Sequence, residues 1–203
     1  VAGFTIEETD GSTEVDESGS TDIFTVVLDA QPTLDVVLTI TSESATEASV
    51  NPSSITFTSE NWDTPQTVTV TGVDENVVDG DQTTNITIAI LDTASDDNFD
   101  ALADQTVSVD TLDDDVAGFT IEETDGSTEV DESGSTDIFT VVLDAEPTSD
   151  VVLTITSDDI GEATVPASVT FTVADWDTPQ TVTVTGVDAV SYTHLRAHET
   201  SKH

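Results

Sequence analysis

The sequence predicts an all-β protein built as tandem antiparallel sandwiches, the second one truncated. Three observations carry that prediction. β-Branched residues alternate with polar ones in short runs of period two. Turn dipeptides fall between those runs at regular spacing. A repeat of nearly 115 residues spans the chain, and its second copy breaks off early.

The strands can be taken in order through the first copy. Phe24, Val26 and Leu28 alternate with Thr25 and Val27, and Val36, Leu38 and Ile40 with Val37 and Thr39. Ile55 and Phe57, Val68 and Val70, Ile86, Ile88 and Ile90, and Val107 and Val109 keep the same period. Asp10-Gly11, Asn51-Pro52 and Asp79-Gly80 supply turns. About seven such strands over roughly 110 residues predict an immunoglobulin-like sandwich. No helical period competes. Trp62 and Trp176 are read as packing over one end of each core.

Val1–Ala30 recurs unchanged at Val116–Ala145, PTLDVVLTITS at Pro32–Ser42 returns as PTSDVVLTITS at Pro147–Ser157, and WDTPQTVTVTGVD at Trp62–Asp74 returns at Trp176–Asp188. The expected domains are therefore 1–115, a complete repeat, and 116–189, a second copy lacking its last two strands and leaving an apolar edge open.

Residues 190–203 are set apart by composition. They hold both basic residues, Arg196 and Lys202, and all three histidines. His194 and His198 are four apart and on a helix would suit zinc. The stretch VSYTHLRAHET, however, resembles translated sequencing-adapter read-through of the kind found at the ends of metagenomic reading frames. The tail is read as an artefact without function.

Charge then becomes the central problem. The chain has 43 acids against 2 bases, a formal charge of −41, and all but one of the acids precede Val190. No side-chain salt bridge with Lys or Arg is available within 1–189. Two carboxylates 4 Å apart repel by about 1 kcal/mol in bulk water and about 4 kcal/mol at an effective dielectric near 20. A few such pairs rival a small domain's stability of about 5–15 kcal/mol. Nucleic acid and anionic lipid are disfavoured as partners, since both need a basic footprint. No apolar run suits membrane insertion, and the absence of cysteine excludes disulfides and thiol chemistry.

Three acidic clusters stand out in the first copy: Asp16 and Glu17 in VDESG, Asp74, Glu75, Asp79 and Asp81 in VDENVVDGD, and Asp113, Asp114 and Asp115 in LDDD. A sandwich can gather strand-end loops at one pole, where a hard divalent cation taking about six to eight oxygens turns repulsion into attraction. Ca²⁺ fits flexible carboxylate loops best. The competing reading is a solvated acidic skin, preferred for acids on strand faces.

VDESGSTDIFTVVL, then VTVTGVDENVVDGDQTTNITIAI and a closing DDD, together resemble the Calx-β domain pattern: an early V-x-E-x-G before a strand, an acidic loop after a V-x-V strand, and acids closing the domain. The resemblance covers one copy and most of a second. It implies a seven-stranded sandwich with calcium at one end, of a type found in tandem in large bacterial surface proteins and adhesins. Carried over by position, the implied ligands are Glu17, Asp74, Glu75, Asp79, Asp113, Asp114 and Asp115. Gln82 and Asn76 stand where the family often has acids, which implies fewer or weaker ions. In the second copy only Glu132 and Asp188 remain, and its site cannot be completed.

Catalysis is not expected, since residues 1–189 lack His, Cys, Lys, Arg and Tyr, and paired carboxylates here recur with the repeat. The reading is a calcium-stiffened structural repeat of a large secreted or surface-attached bacterial protein, adhesion-related. Its partners would be calcium ions, neighbouring repeats, and a surface protein or glycan. The alternatives are an accessory spacer of a secreted enzyme, or an acidic spacer without a specific ion site.

Overall fold

Each period-two run named above forms a strand. The structure is a computed structural model that describes residues 1–188, in two compact units that divide between Val116 and Ala117. The tail read as an artefact lies outside the described residues.

Unit 1 contains nine strands: β1 (Phe4–Glu8), β2 (Thr13–Asp16), β3 (Thr21–Leu28), β4 (Val36–Ser42), β5 (Ala48–Asn51), β6 (Ser54–Phe57), β7 (Gln66–Gly72), β8 (Gln82–Ile90) and β9 (Gln105–Leu112). They form two sheets, ordered β1-β3-β7-β5 and β2-β9-β8-β4-β6. This is an immunoglobulin-like sandwich. One pair departs from the antiparallel expectation: β2 runs parallel to β9, with Thr13 opposite Val109 and Asp16 opposite Leu112. The chain makes β1 in one sheet and then crosses to the other, so its first strands edge both sheets.

The inward positions of the two sheets supply one core, with Phe24, Val26, Leu38, Phe57, Val68, Val70, Ile86 and Ile88 fully buried and Trp62 packed against it. Full burial of such side chains stabilises by about 1.5–3 kcal/mol each. The outward positions explain how so acidic a chain forms sheets at all. β4, β5, β6, β7 and β8 carry no acid. Their outward rows are threonines instead, as in the pairs Thr25↔Thr67, Thr41↔Thr87 and Thr87↔Thr106. Like charges directly opposite would weaken the ladders, and the sequence confines most acids to loops and terminal strands.

Opposite the acidic pole, Asp96 anchors the β8–β9 connection. It is 2% exposed and accepts N–H bonds from Thr33 (2.7 Å), Leu34 (3.0 Å) and Asn98 (3.0 Å). The Thr33 hydroxyl, also donating to this carboxylate, contributes most to holding it far below the usual acid range.

Unit 2 contains β10 (Phe119–Glu123), β11 (Thr136–Leu143), β12 (Val151–Thr154), β13 (Ala163–Thr164), β14 (Ser168–Phe171) and β15 (Gln180–Gly186). The sheet β10-β11-β15-β13 repeats the first sheet of unit 1, whereas the second is reduced to β12-β14. Counterparts of β8 and β9 are not present among the described residues, and a further strand is missing. Residues 128–131, identical in sequence to β2, are not a strand. β2 pairs with β9, so removing the partner removes the strand. The core shrinks accordingly to Val141, Leu143, Phe171 and Val182, with Trp176 packed against it.

Candidate metal centre

The centre lies at one end of unit 1, and β2 delivers its deepest residue. After Asp16 the chain continues alongside β9, the Glu17 N–H donating to the Leu112 carbonyl at 3.1 Å. It then turns through Gly19 at φ +91°, whose N–H donates to the Asp16 carbonyl at 3.2 Å. The two acids of the Asp16-Glu17 pair have opposite fates. Asp16 is capped by its own turn: its N–H donates to Ser20 Oγ at 2.7 Å, and the Ser18 hydroxyl donates to its carboxylate. That bond from Ser18 leads the causes that lower its pKa. Glu17 points inward, is 0% exposed, and neither of its carboxylate oxygens has a hydrogen-bond partner.

Other acids collect around Glu17. Carboxylate oxygens of Glu17, Glu75 and Asp79 lie within 4.8 Å of one another, and so do those of Glu17, Asp113 and Asp115. The β7–β8 loop is tied to the end of β9 by backbone donors. Gly80 N–H donates to Asp113 Oδ2 at 2.7 Å, and Asp113 N–H to Asp81 Oδ1 at 3.2 Å. Asp115 N–H turns back onto Asp113 Oδ1 at 2.8 Å. These bonds orient Asp113 but leave Asp115 Oδ2 buried without a partner.

The electrostatics record the crowding. Burial pushes Glu17 up from 4.5 to about 7, and the charges of Asp113, Glu75, Asp79 and Glu47 push in the same direction. Glu75 is raised by burial and then by Glu47, Asp79, Asp113 and Asp115. Asp115 is raised by burial and then by Asp113, Asp114 and Asp74. In each case the shift runs toward the neutral form, because burial and the neighbouring carboxylates both oppose the charged one.

Five of the acids singled out in the sequence are thus brought together: Glu17, Glu75, Asp79, Asp113 and Asp115. Asp74 and Asp114 are exposed and flank the group near Asp115. In unit 2, Glu132 and Asp188 are both exposed, and among the described residues no cluster of three acids forms around either.

One residue was missed by sequence reasoning. Glu47, just before β5, has Oε2 buried without a partner, and burial and then Asp79 raise its pKa. Its carbonyl accepts the Val73 N–H at 2.9 Å, fixing it beside the acidic loop. The available signal was internal to the repeat. TSESATEASV at Thr41–Val50 becomes TSDDIGEATV at Thr156–Val165, and the glutamate persists as Glu162 although the four residues before it all change.

A hard cation fits this donor set. It is all carboxylate, drawn from four separate chain segments, and includes buried oxygens that nothing in the protein satisfies. Such oxygens are costly to leave unpaired.

No known family profile matches the chain, and no curated protein matches it. Solved structures of similar fold include the apo form of the Calx CBD1 domain, at 14% identity over 55% of this chain and 98% of that one, with a TM-score of 0.37. The calcium binding domain CBD12 of CALX1.1 is 14% identical over 90% of this chain and 76% of that one, with a TM-score of 0.40. Domains 5–6 of the S-layer protein SbsC are 17% identical over 93% and 85%, with a TM-score of 0.37. At these values the likenesses carry no functional argument. The residues of the centre must do so.

Proposed function

We propose that unit 1 binds calcium through Glu17, Glu75, Asp79, Asp113 and Asp115, with Glu47 joining them from the neighbouring loop. On this reading the chain is a calcium-stiffened structural segment of a large secreted or surface-attached bacterial protein with an adhesive role. Residues 1–115 are one full repeat, 116–189 a second copy without its last strands, and 190–203 a tail foreign to both.

The observation that carries the reading is Glu17. A glutamate with no exposed surface, both oxygens unpartnered and acids as neighbours would by itself destabilise the fold. Bound Ca²⁺ supplies the missing positive charge, and its tolerance of about six to eight oxygens suits carboxylates drawn from several loops better than the strict octahedron of Mg²⁺. Glu17 belongs to both triads, the position from which one carboxylate can serve two ions. Asp74 and Asp114 then attract the ion rather than ligate it.

Affinity of about 10⁻⁴ to 10⁻³ M suffices outside a cell. A string of such repeats would meet its partners, other repeats and a surface protein or glycan, in that calcium-rich setting. The test is calorimetric titration of the chain with Ca²⁺, and with Mg²⁺ at equal ionic strength, for the parent and for Glu17→Gln. Saturable heat with Ca²⁺ that Glu17→Gln removes supports the centre. Equal responses to both ions would reduce it to screening of an acidic surface.

A further inference from the structure

We propose that Thr111 is a positioning residue of the centre, its hydroxyl donating to the Glu17 carboxylate when calcium is bound; this rests on the calcium reading above. The argument begins with the inward row of β9. Val107, Val109 and Thr111 face the core in succession and are 1%, 0% and 0% exposed. Valine has nearly the shape of threonine and would fill the third position as it fills the first two. That position carries an oxygen instead, and the oxygen has no hydrogen-bond partner. A buried hydroxyl left unpaired weakens a fold where an apolar isostere would not.

The other buried threonines of unit 1 are satisfied. The Thr13 hydroxyl donates to Glu8 Oε2 at 3.1 Å, and Thr84 Oγ1 accepts the Ser44 N–H at 3.1 Å. Among the described residues, Thr111 Oγ1 is the only buried side-chain donor without a partner. The remaining unpartnered atoms are carboxylate oxygens, and all but that of Asp100 belong to Glu17, Glu47 and Asp115.

Register brings the donor to these acceptors. β2 runs parallel to β9 with Val15 beside Thr111, and the bond from Glu17 N–H to the Leu112 carbonyl carries the pairing one step further. Thr111 therefore precedes Asp113 by two residues on its own strand and lies diagonal to Glu17 on the next. Two strand steps, about 6.6 Å, and one strand spacing, about 4.8 Å, separate the backbones of Thr111 and Glu17. A glutamate and a threonine side chain together span that distance. On the other flank Gln82 stands opposite Thr111, but its amide donates to the Asp79 and Gly80 carbonyls.

Elimination selects Glu17 as the acceptor. Asp113 already receives the Gly80 N–H on Oδ2 and the Asp115 N–H on Oδ1. Asp115 lies beyond the end of β9, and Glu47 comes from the other sheet, just before β5. Glu17 is fully buried and has no donor on either oxygen. An ionised carboxylate can accept at about four sites. A cation meets Glu17 from the side of the other acids, which leaves the side toward the core for Thr111. Donors placed behind a metal ligand in this way orient it and raise metal affinity.

The experiment compares the full chain with Thr111→Val, Thr111→Ser and Glu17→Gln, by calorimetric titration with Ca²⁺ and by melting in chelator. Thr111→Val should bind Ca²⁺ about tenfold more weakly or worse. In chelator it should melt no lower than the parent, because the unpaired hydroxyl is gone. Thr111→Ser keeps the hydroxyl and should regain most of the affinity. Parent affinity in Thr111→Val, beside lost binding in Glu17→Gln, overturns the role of Thr111 and leaves the calcium centre standing. The role is also overturned if Thr111→Ser binds as poorly as Thr111→Val, or if Thr111→Val melts lower in chelator, since the side chain would then serve the fold alone. A parent chain that takes up no Ca²⁺ overturns both proposals.

Discussion

The Asp16 carbonyl oxygen occupies the place where a side chain on Gly72 would begin: a Cβ there would lie 1.9 Å from it. The end of β7 and the end of β2 therefore touch backbone to backbone, and this contact seats Glu17 beneath the loop that follows β7. Gly186 and Asp131 repeat the relationship at 2.0 Å. Gly72→Ala should force the two segments apart, costing about 1–3 kcal/mol as overpacking and weakening calcium binding together with stability. A variant that melts lower but binds calcium with parent affinity in calorimetry would show that the contact does not position the centre.

Glu17→Gln should change sign with the ion. In chelator it removes a buried charge and should raise the melting temperature. In excess Ca²⁺ it should lower it relative to the parent, which gains about 2.7 kcal/mol at a hundredfold excess of ion over Kd. Scanning calorimetry of both proteins in both conditions checks this. Lowered stability in both conditions would mean that the carboxylate is structural and not a ligand.

The metal-free protein should prefer mild acid. Glu17 is raised from 4.5 to about 7 in the folded state, so between those values the native state holds more protons than the unfolded one. Stability must then fall as pH rises through that window. Melting in chelator at pH 5 should exceed melting at pH 8, and saturating Ca²⁺ should abolish or reverse the difference, because bound ion favours the charged carboxylate.

Asp96 should behave in the opposite way. Its pKa is depressed, chiefly by the Thr33 hydroxyl. Its stabilisation is therefore complete above the unfolded value near 3.8 and is lost as pH falls through the lower folded one. Asp96→Asn should lower the melting temperature of unit 1 at pH 7 and flatten the acid limb below pH 4. An unchanged acid limb would refute that assignment.

Leu38 and Leu153 are the same residue in the same heptapeptide, one fully buried and one half-buried. Leu38→Ala should cost about 2–5 kcal/mol. Leu153→Ala should cost well under half of that in urea unfolding, because Leu153 is already partly exposed. Equal costs would mean that the face around β12 is covered in solution.

These residues also show how far the sequence could be read. Phe24, Val26 and Leu28 announce β3 because burial on one face imposes period two. β1, β2 and β5 went unread: FTIEE, TEVD and ASVN are short and mix acids or small residues into the pattern. What makes TEVD a strand is β9, some ninety residues away, and the same letters at 128–131 are not a strand where β9 has no counterpart. The candidate site was legible where acids cluster along the chain, as at Asp113–Asp115. It was illegible at Glu47, a solitary acid that reaches the group only through the fold. Nor could linear order separate Asp16, satisfied by Ser18 and Ser20, from Glu17, which is not.

The parallel pairing of β2 with β9 has a mechanical consequence. Both strands point the same way and lie near opposite ends of unit 1's sequence, Thr13–Asp16 and Gln105–Leu112, so tension between those two ends would pull the paired strands along each other in shear. Their ladder bonds would then bear load together and not unzip singly, and the acids beside Glu17 sit where that clamp closes.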